Sequence, residues 1–274
     1  MTVVLGLTAA VLWAFVNLRV AAVSRGLDPI VAMFVMLSAS ILVTVPLALA
    51  VDGLPSALHG RAVAAAALAG LLEISGFVCY LKAVQRGSMA VVAPLIGLEG
   101  GVAAVIAVIG GEPVSATLGA AITVAVVGTA LACASPGERT AAGAGWAILA
   151  GLQFGVMLTL FGATNEIGSF TAVSVARAAG LIVLVPILLA RRRPHTERRV
   201  IGSIALSGVV DAFAFGAFTA AAAIGPVSVA SVCAAQFSTI SVVFAIVLLR
   251  DRPAPIQVVG IALTLVGTTV IAAS

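Results

Sequence analysis

The chain has 274 residues, of which 62% are hydrophobic and 9% charged, with a net charge of +4 and a mean hydropathy of +1.26. That composition excludes a soluble globular domain and implies a polytopic membrane protein. Continuous Ala, Val, Leu and Ile runs favour helices over a β-barrel, whose segments would alternate. The basic residues sit in short loops beside the apolar runs, where they orient the chain and do not mark a nucleic-acid surface.

Apolar runs bounded by Gly, Pro and charge predict an all-α membrane protein of ten spans, at about residues 3–22, 29–50, 61–85, 88–109, 114–134, 145–164, 169–190, 200–224, 226–249 and 254–273. The first has no basic n-region, and Arg19 follows its apolar stretch, so it reads as a retained span and not a secretory signal. The connections leave no room for a soluble domain. The longest polar stretches are Ser135 to Ala142 and Arg191 to Arg199. The former separates span five from span six, giving an N-terminal five-helix repeat (1–135), a linker (136–142) and a C-terminal five-helix repeat (143–274).

The repeat is visible in the residues. Gly70 to Gly87, GLLEISGFVCYLKAVQRG, is echoed by Gly208 to Gly225, GVVDAFAFGAFTAAAAIG, at a constant offset of 138. Glu73 falls on Asp211, Phe77 on Phe215 and Tyr80 on Phe218. Pro46 falls on Pro186, and Gly128-Thr129 on Gly267-Thr268. An odd number of spans per repeat places the second copy upside down relative to the first. Loop charge agrees: Arg25, Arg86, Arg191 to Arg193 with Arg198 and Arg199, and Arg250 with Arg252 all follow odd-numbered spans, whereas the other connections between consecutive spans within each half hold only Arg61. By the positive-inside rule those odd-to-even loops are cytoplasmic and both termini face outward.

LWAFVN (Leu12 to Asn17) in span one, a glycine before spans four and nine (Gly87, Gly225), and the short turns GEP (Gly111 to Pro113) and RDRP (Arg250 to Pro253) complete the pattern. In their order and spacing these features resemble the EamA-type transporters of the drug/metabolite transporter superfamily. The resemblance covers nearly the whole chain. It implies a ten-helix secondary transporter, often an exporter and not an enzyme, with a central cavity lined by spans one, three, four, six, eight and nine. The chain departs from the family pattern in span two, where Leu37 stands at the place equivalent to Arg177 in span seven. It departs again in carrying three mid-span acids.

Those acids are the first candidate site residues. Glu73 and Asp211 lie too deep in their spans to snorkel, so each faces a partner or a water-filled cavity. They read either as protonatable or cation-binding groups related by the repeat, or as structural groups neutralised by Arg177. Glu99 sits in PLIGLEGG (Pro94 to Gly101), where a proline and three glycines predict a kinked helix open to close approach. Its counterpart in span nine is polar and uncharged: Gln236, Ser238, Thr239 and Ser241. Arg177, the one deep basic residue, is a counter-ion for an acid or a binder of anionic substrate groups. Lys82 lies one turn from Arg86 and on the opposite helix face from Glu73, so it is expected to snorkel to the interface.

Trp13, Asn17, Phe77, Tyr80, Gln153, Phe215 and Phe218 supply aromatic walls and amides suited to a small amphipathic substrate. Cys79, Cys133 and Cys233 have no metal-like spacing and read as packing residues. His59 and His195 lie in loops, and no catalytic motif is present. The expected partners are a small-molecule substrate and the lipid bilayer, with no nucleic acid; the pattern is silent on oligomeric state. No cofactor is implied, and protons are the candidate coupling ion. The expected function is export of a small metabolite, an amino acid or related compound, across a bacterial-type inner membrane by alternating access. An uncoupled facilitator, a lipid-linked substrate flippase and a non-transporting membrane subunit remain open.

Overall fold

The computed structural model describes residues 1–23, 28–53, 59–86, 92, 95–132, 143–190, 198–249 and 254–273. Among them the secondary structure is helical, joined by short connections. The helices are α1 (Thr2–Val23), α2 (Pro29–Leu47) continued by a π turn (Ala48–Asp52), α3 (Gly60–Arg86), α4 (Glu99–Ile109), α5 (Ala116–Ala132), α6 (Ala144–Gly162), α7 (Ser169–Ala190), α8 (Arg198–Ile224), α9 (Val227–Ala234), α10 (Phe237–Leu249) and α11 (Pro255–Ala273). A 3₁₀ turn, Asn165–Ile167, precedes α7. Six of these helical segments are long and apolar enough to cross a membrane: those of α1, α2 with its π turn, α3, α6, α7 and α8. Four shorter apolar segments cover Leu95–Ile109, Ala116–Ala132, Val227–Ser241 and Pro255–Ile271.

Size, more than polarity, decides which residues face inward. The buried set is rich in alanine, including Ala66, Ala69, Ala176, Ala221 and Ala230, while Leu42, Ile109, Ile182 and Leu189 project outward. Lipid is as apolar as leucine, so sequestering large aliphatic side chains gains little. Close packing of small residues is what holds helices together in a membrane. The apolar surface therefore runs all round each helix, and the backbone is satisfied within the helix itself.

The closest approaches come in matched pairs. A Cβ on Gly70 of α3 would overlap the backbone of Ala176 on α7, and a Cβ on Gly208 of α8 would overlap the backbone of Met36 on α2. Gly128 and Gly267 exchange in the same way across the α5–α11 contact, meeting Thr264 and Ala125. Helix pairing is equally reciprocal: α1 packs on α8 as α6 packs on α3, and α2 packs on α8 as α7 packs on α3.

One long span expected from the sequence, 226–249, is interrupted. The α9 segment ends at Ala234, and α10 begins at Phe237. A turn at Leu98 precedes α4 at the position matching Gln236. Pro94, the expected cause of the kink in span four, lies outside the described residues, as do Cys133, His195, Arg25, the stretch 191–197 and the arginines at 250 and 252.

Candidate functional site

The centre of the bundle is built by four helices that bring one base to two acids. Arg177 on α7 is fully buried, an arrangement sustainable only if every donor is occupied. Its Nη1 pairs with Glu73 of α3. Its Nη2 lies 2.6 Å from Oδ2 of Asp211 on α8. Its Nε donates to Ser40 Oγ on α2 at 3.0 Å, and the guanidinium sits 4.6 Å from the centre of the Phe215 ring. The fork geometry of arginine suits this double engagement in a way that the point charge of lysine would not. Asp211 is held from its other side by Trp13 of α1, whose Nε1 donates to Oδ1 at 3.0 Å.

Beside this triad lies a cavity of about 100 Å³ lined by Glu73, Glu99 and Asp211 with Trp13, Asn17, Phe77, Tyr80 and Phe215. The volume is well below the roughly 300–1,000 Å³ of pockets that take drug-sized ligands. Tyr80 OH donates to Asn17 Oδ1, and the Asn17 amide reaches Ser241 Oγ at 3.5 Å, which fixes one polar wall across α1, α3 and α10. Trp13 and Phe215 meet edge to face with ring centres 4.9 Å apart. Glu99, at the start of α4 and 5% exposed, lines the same cavity. It makes no hydrogen bond or ion pair with the described residues.

Several sequence candidates lie elsewhere. Gln153 is not on the cavity wall; it accepts from Ser75 and donates to Cys79 Sγ at 3.8 Å, tying α6 to α3. Phe218 is fully buried in a neighbouring apolar cluster, 6.0 Å from Trp13 by ring centres, because α8 turns it behind Phe215. Gln236 is committed to the break between α9 and α10: it accepts from Thr129 Oγ1 at 3.0 Å and donates to Val232 O at 2.9 Å. Arg177 stands behind the acids and does not line the cavity. Lys82 Nζ rests 4.5 Å from the Trp146 ring centre, with Arg86 beside it, far from the acids. His59 faces Glu166 at 4.0 Å on the surface, and Cys79 and Cys233 are buried free thiols.

The lining also includes residues that the sequence reading passed over: Val16, Val20, Met36, Ile96, Phe154, Met157 and Phe237. Val16 and Val20 follow Trp13 and Asn17 along one helical face, a periodicity that was available. Phe154 had a less visible signal in Gly76, whose missing side chain is the space that ring occupies.

Fold and site together define an all-helical polytopic membrane protein with a charged cavity inside the bundle. The chain belongs to the EamA-like transporter family, whose model matches it twice, at residues 1–134 and 141–273. That family consists of transporters and not of enzymes. A solved structure described only as the crystal structure of a protein shares the fold at 16% identity, with a TM-score of 0.81 over 99% of this chain and 98% of that one. Comparison with curated proteins finds no match.

Proposed function

We propose that this chain is a secondary active transporter that exports a small metabolite across the cytoplasmic membrane by alternating access. Its ten spans form two inverted five-helix repeats, 1–135 and 143–274, joined by the linker 136–142, with both termini outside. The observation that carries this reading is the cavity whose acids come from both halves, Glu73 and Glu99 from one and Asp211 from the other. Midplane cavities between inverted repeats, flanked by interrupted helices, are where transporters bind their substrates. The turns at Leu98 and at 235–236 supply such interruptions on both sides.

Charge balance supports proton coupling. Two carboxylates share the Arg177 guanidinium and a third, Glu99, has no partner among the described residues, so protons or a bound cation must neutralise the excess. Alternating access is supported by two acidic clasps near one end of the bundle. Asp52 Oδ2 accepts from Thr171 N at 2.7 Å and Thr171 Oγ1 at 3.0 Å, holding the first turn of α7. Glu112 accepts from Val227 N at 2.8 Å and Ser228 N at 3.1 Å, holding the first turn of α9. Each clasp joins one half to the other through a helix N-terminus, where a carboxylate is favoured.

The test is uptake of labelled amino compounds into proteoliposomes with and without an imposed pH gradient, comparing the parent with Glu73→Gln, Glu99→Gln and Asp211→Asn. Accumulation that requires the gradient, and its loss in at least one variant with exchange retained, is the expected outcome. Gradient-independent equilibration unchanged in all three variants would leave an uncoupled facilitator.

A further inference from the structure

We infer that the cavity recognises an organic ammonium group, with Glu99 as its counter-charge and no provision for a substrate carboxylate. The inference deepens the transport reading and rests on it for the step from binding to flux.

The first support is that no basic side chain among the described residues reaches the cavity. Arg177 is fully buried, both of its terminal nitrogens are committed to carboxylates, its Nε to Ser40, and its guanidinium lies against Phe215. Arg19, which donates to Ser203 at 3.1 Å through Nη2 and leaves its Nε without a hydrogen-bond partner among the described residues, does not line the cavity, and Lys82 and Arg86 rest on Trp146. Among the described residues no basic side chain lines the cavity. A carboxylate entering it would meet Glu73, Glu99 and Asp211, whose combined charge the single guanidinium of Arg177 offsets only in part.

The second support is Glu99. Asp211 is bonded at both oxygens and Glu73 at one, whereas the Glu99 carboxyl opens on the cavity with no protein partner among the described residues. An ionised carboxylate in that position demands a positive neighbour, and an ammonium ligand supplies one. When the cavity is empty a proton on Glu99 does the same task. Ligand entry then releases that proton, so binding and proton movement are one exchange of equal charge.

The third support is the wall. Trp13, Phe77, Tyr80, Phe154, Phe215 and Phe237 surround the acids. Aromatic rings attract cations through their quadrupoles and pack the hydrocarbon of an amine, and both effects strengthen away from water. The cavity is small, about 100 Å³, and only partly enclosed, so the ligand is held by its ammonium end.

Isothermal titration of the purified full chain with 2-phenylethylamine, its N,N,N-trimethyl derivative, phenylalanine and 3-phenylpropanoate tests this, because the four share a ring and differ in charge. The two cations are expected to bind, phenylalanine at least tenfold more weakly than 2-phenylethylamine, and 3-phenylpropanoate not at all. Proton release, read from the dependence of the heat on buffer ionisation enthalpy, is expected on cation binding and absent in Glu99→Gln. That variant is expected to bind the cations at least tenfold more weakly while eluting and melting like the parent. Should it fail to fold, the ranking of the four compounds on the unaltered protein still decides. Equal or tighter binding of either carboxylate-bearing compound, no cation binding, or unchanged cation affinity in a folded Glu99→Gln would each overturn the inference. Counterflow in proteoliposomes separates the two readings: cation binding without flux refutes transport and leaves the ammonium site standing.

Discussion

Leu37 on α2 and Arg177 on α7 occupy matching places in the two halves, and their surroundings match as well. Arg177 reaches Ser40, whose counterpart in the other half is Gly180; Leu37 packs against Gly180, where a Cβ would come within 2.7 Å of its Cδ1. The helix contacts that place them are reciprocal, yet one corner is a charged cluster and the other is apolar, with Leu37 and Ile74 against the same glycine. A single guanidinium at the centre of a two-fold arrangement can serve an acid from each side, because Glu73 and Asp211 both come within its fork. A second arginine in place of Leu37 would crowd the same space and bury another charge. Near the centre of a repeat, where one group serves both copies, duplicated backbones hold unlike side chains, and that is where the halves have diverged.

The sharpest way to break this comparison is to exchange the character of one corner. Arg177→Leu leaves two carboxylates facing each other without their cation, and the loss of stability is expected to be about 3–5 kcal/mol, read from denaturant or thermal unfolding in detergent. Leu37→Met, which conserves volume in the matching corner, is expected to cost less than about 1.5 kcal/mol. Equal effects at the two positions would show that the guanidinium is not the pivot. The double variant Glu73→Gln with Asp211→Asn strands Arg177 between neutral amides and is expected to cost nearly as much as Arg177→Leu, far more than the sum of its parts.

The glycines test the symmetric component. Gly70→Val and Gly208→Val each force a side chain into the facing backbone, at Ala176 and Met36, with an expected loss of about 1–3 kcal/mol at both. A large difference between them would mean that the halves are less alike in packing than their contacts indicate. Smaller again, Asp52→Asn and Glu112→Gln remove the charge of the clasps and are expected to cost about 0.5–2 kcal/mol each. Both are also expected to raise the rate of substrate exchange, measured as counterflow. The smallest expected effect belongs to Glu73→Gln alone. Asp211 keeps its pair with Arg177, and the amide oxygen still accepts a hydrogen bond, so stability changes by about 1 kcal/mol or less while gradient-driven uptake falls.

Much of the outline was legible in the residues. Hydropathy marked the apolar segments, and most predicted limits fall within a few residues of the helices, as with 169–190 against Ser169–Ala190. The offset between Glu73 and Asp211 announced that the two acids are counterparts. It did not announce that they share one base, because that depends on α7 passing between α3 and α8, and no local pattern encodes a crossing of three helices. Gln236 and Gln153 show the converse failure. Each is a polar residue in an apolar run, which from sequence looks like a cavity group, yet each is consumed by a neighbouring helix at a break or a close contact.

By itself the sequence determined that this chain lives in a membrane, where its apolar segments lie, that its halves are copies, and to which family it belongs. Those properties follow from composition and from spacing along the chain, which the solvent and a local helix are enough to read. Only the tertiary structure decided that Arg177 is withdrawn from the cavity, that Glu99 stands without a partner among the described residues, and that the wall includes Phe154 and Phe237. Each of these depends on which faces of separate helices meet. In lipid that choice is made by the fit of small residues and by the pairing of a few buried charges, interactions between residues as distant as Glu73 and Arg177 along the chain.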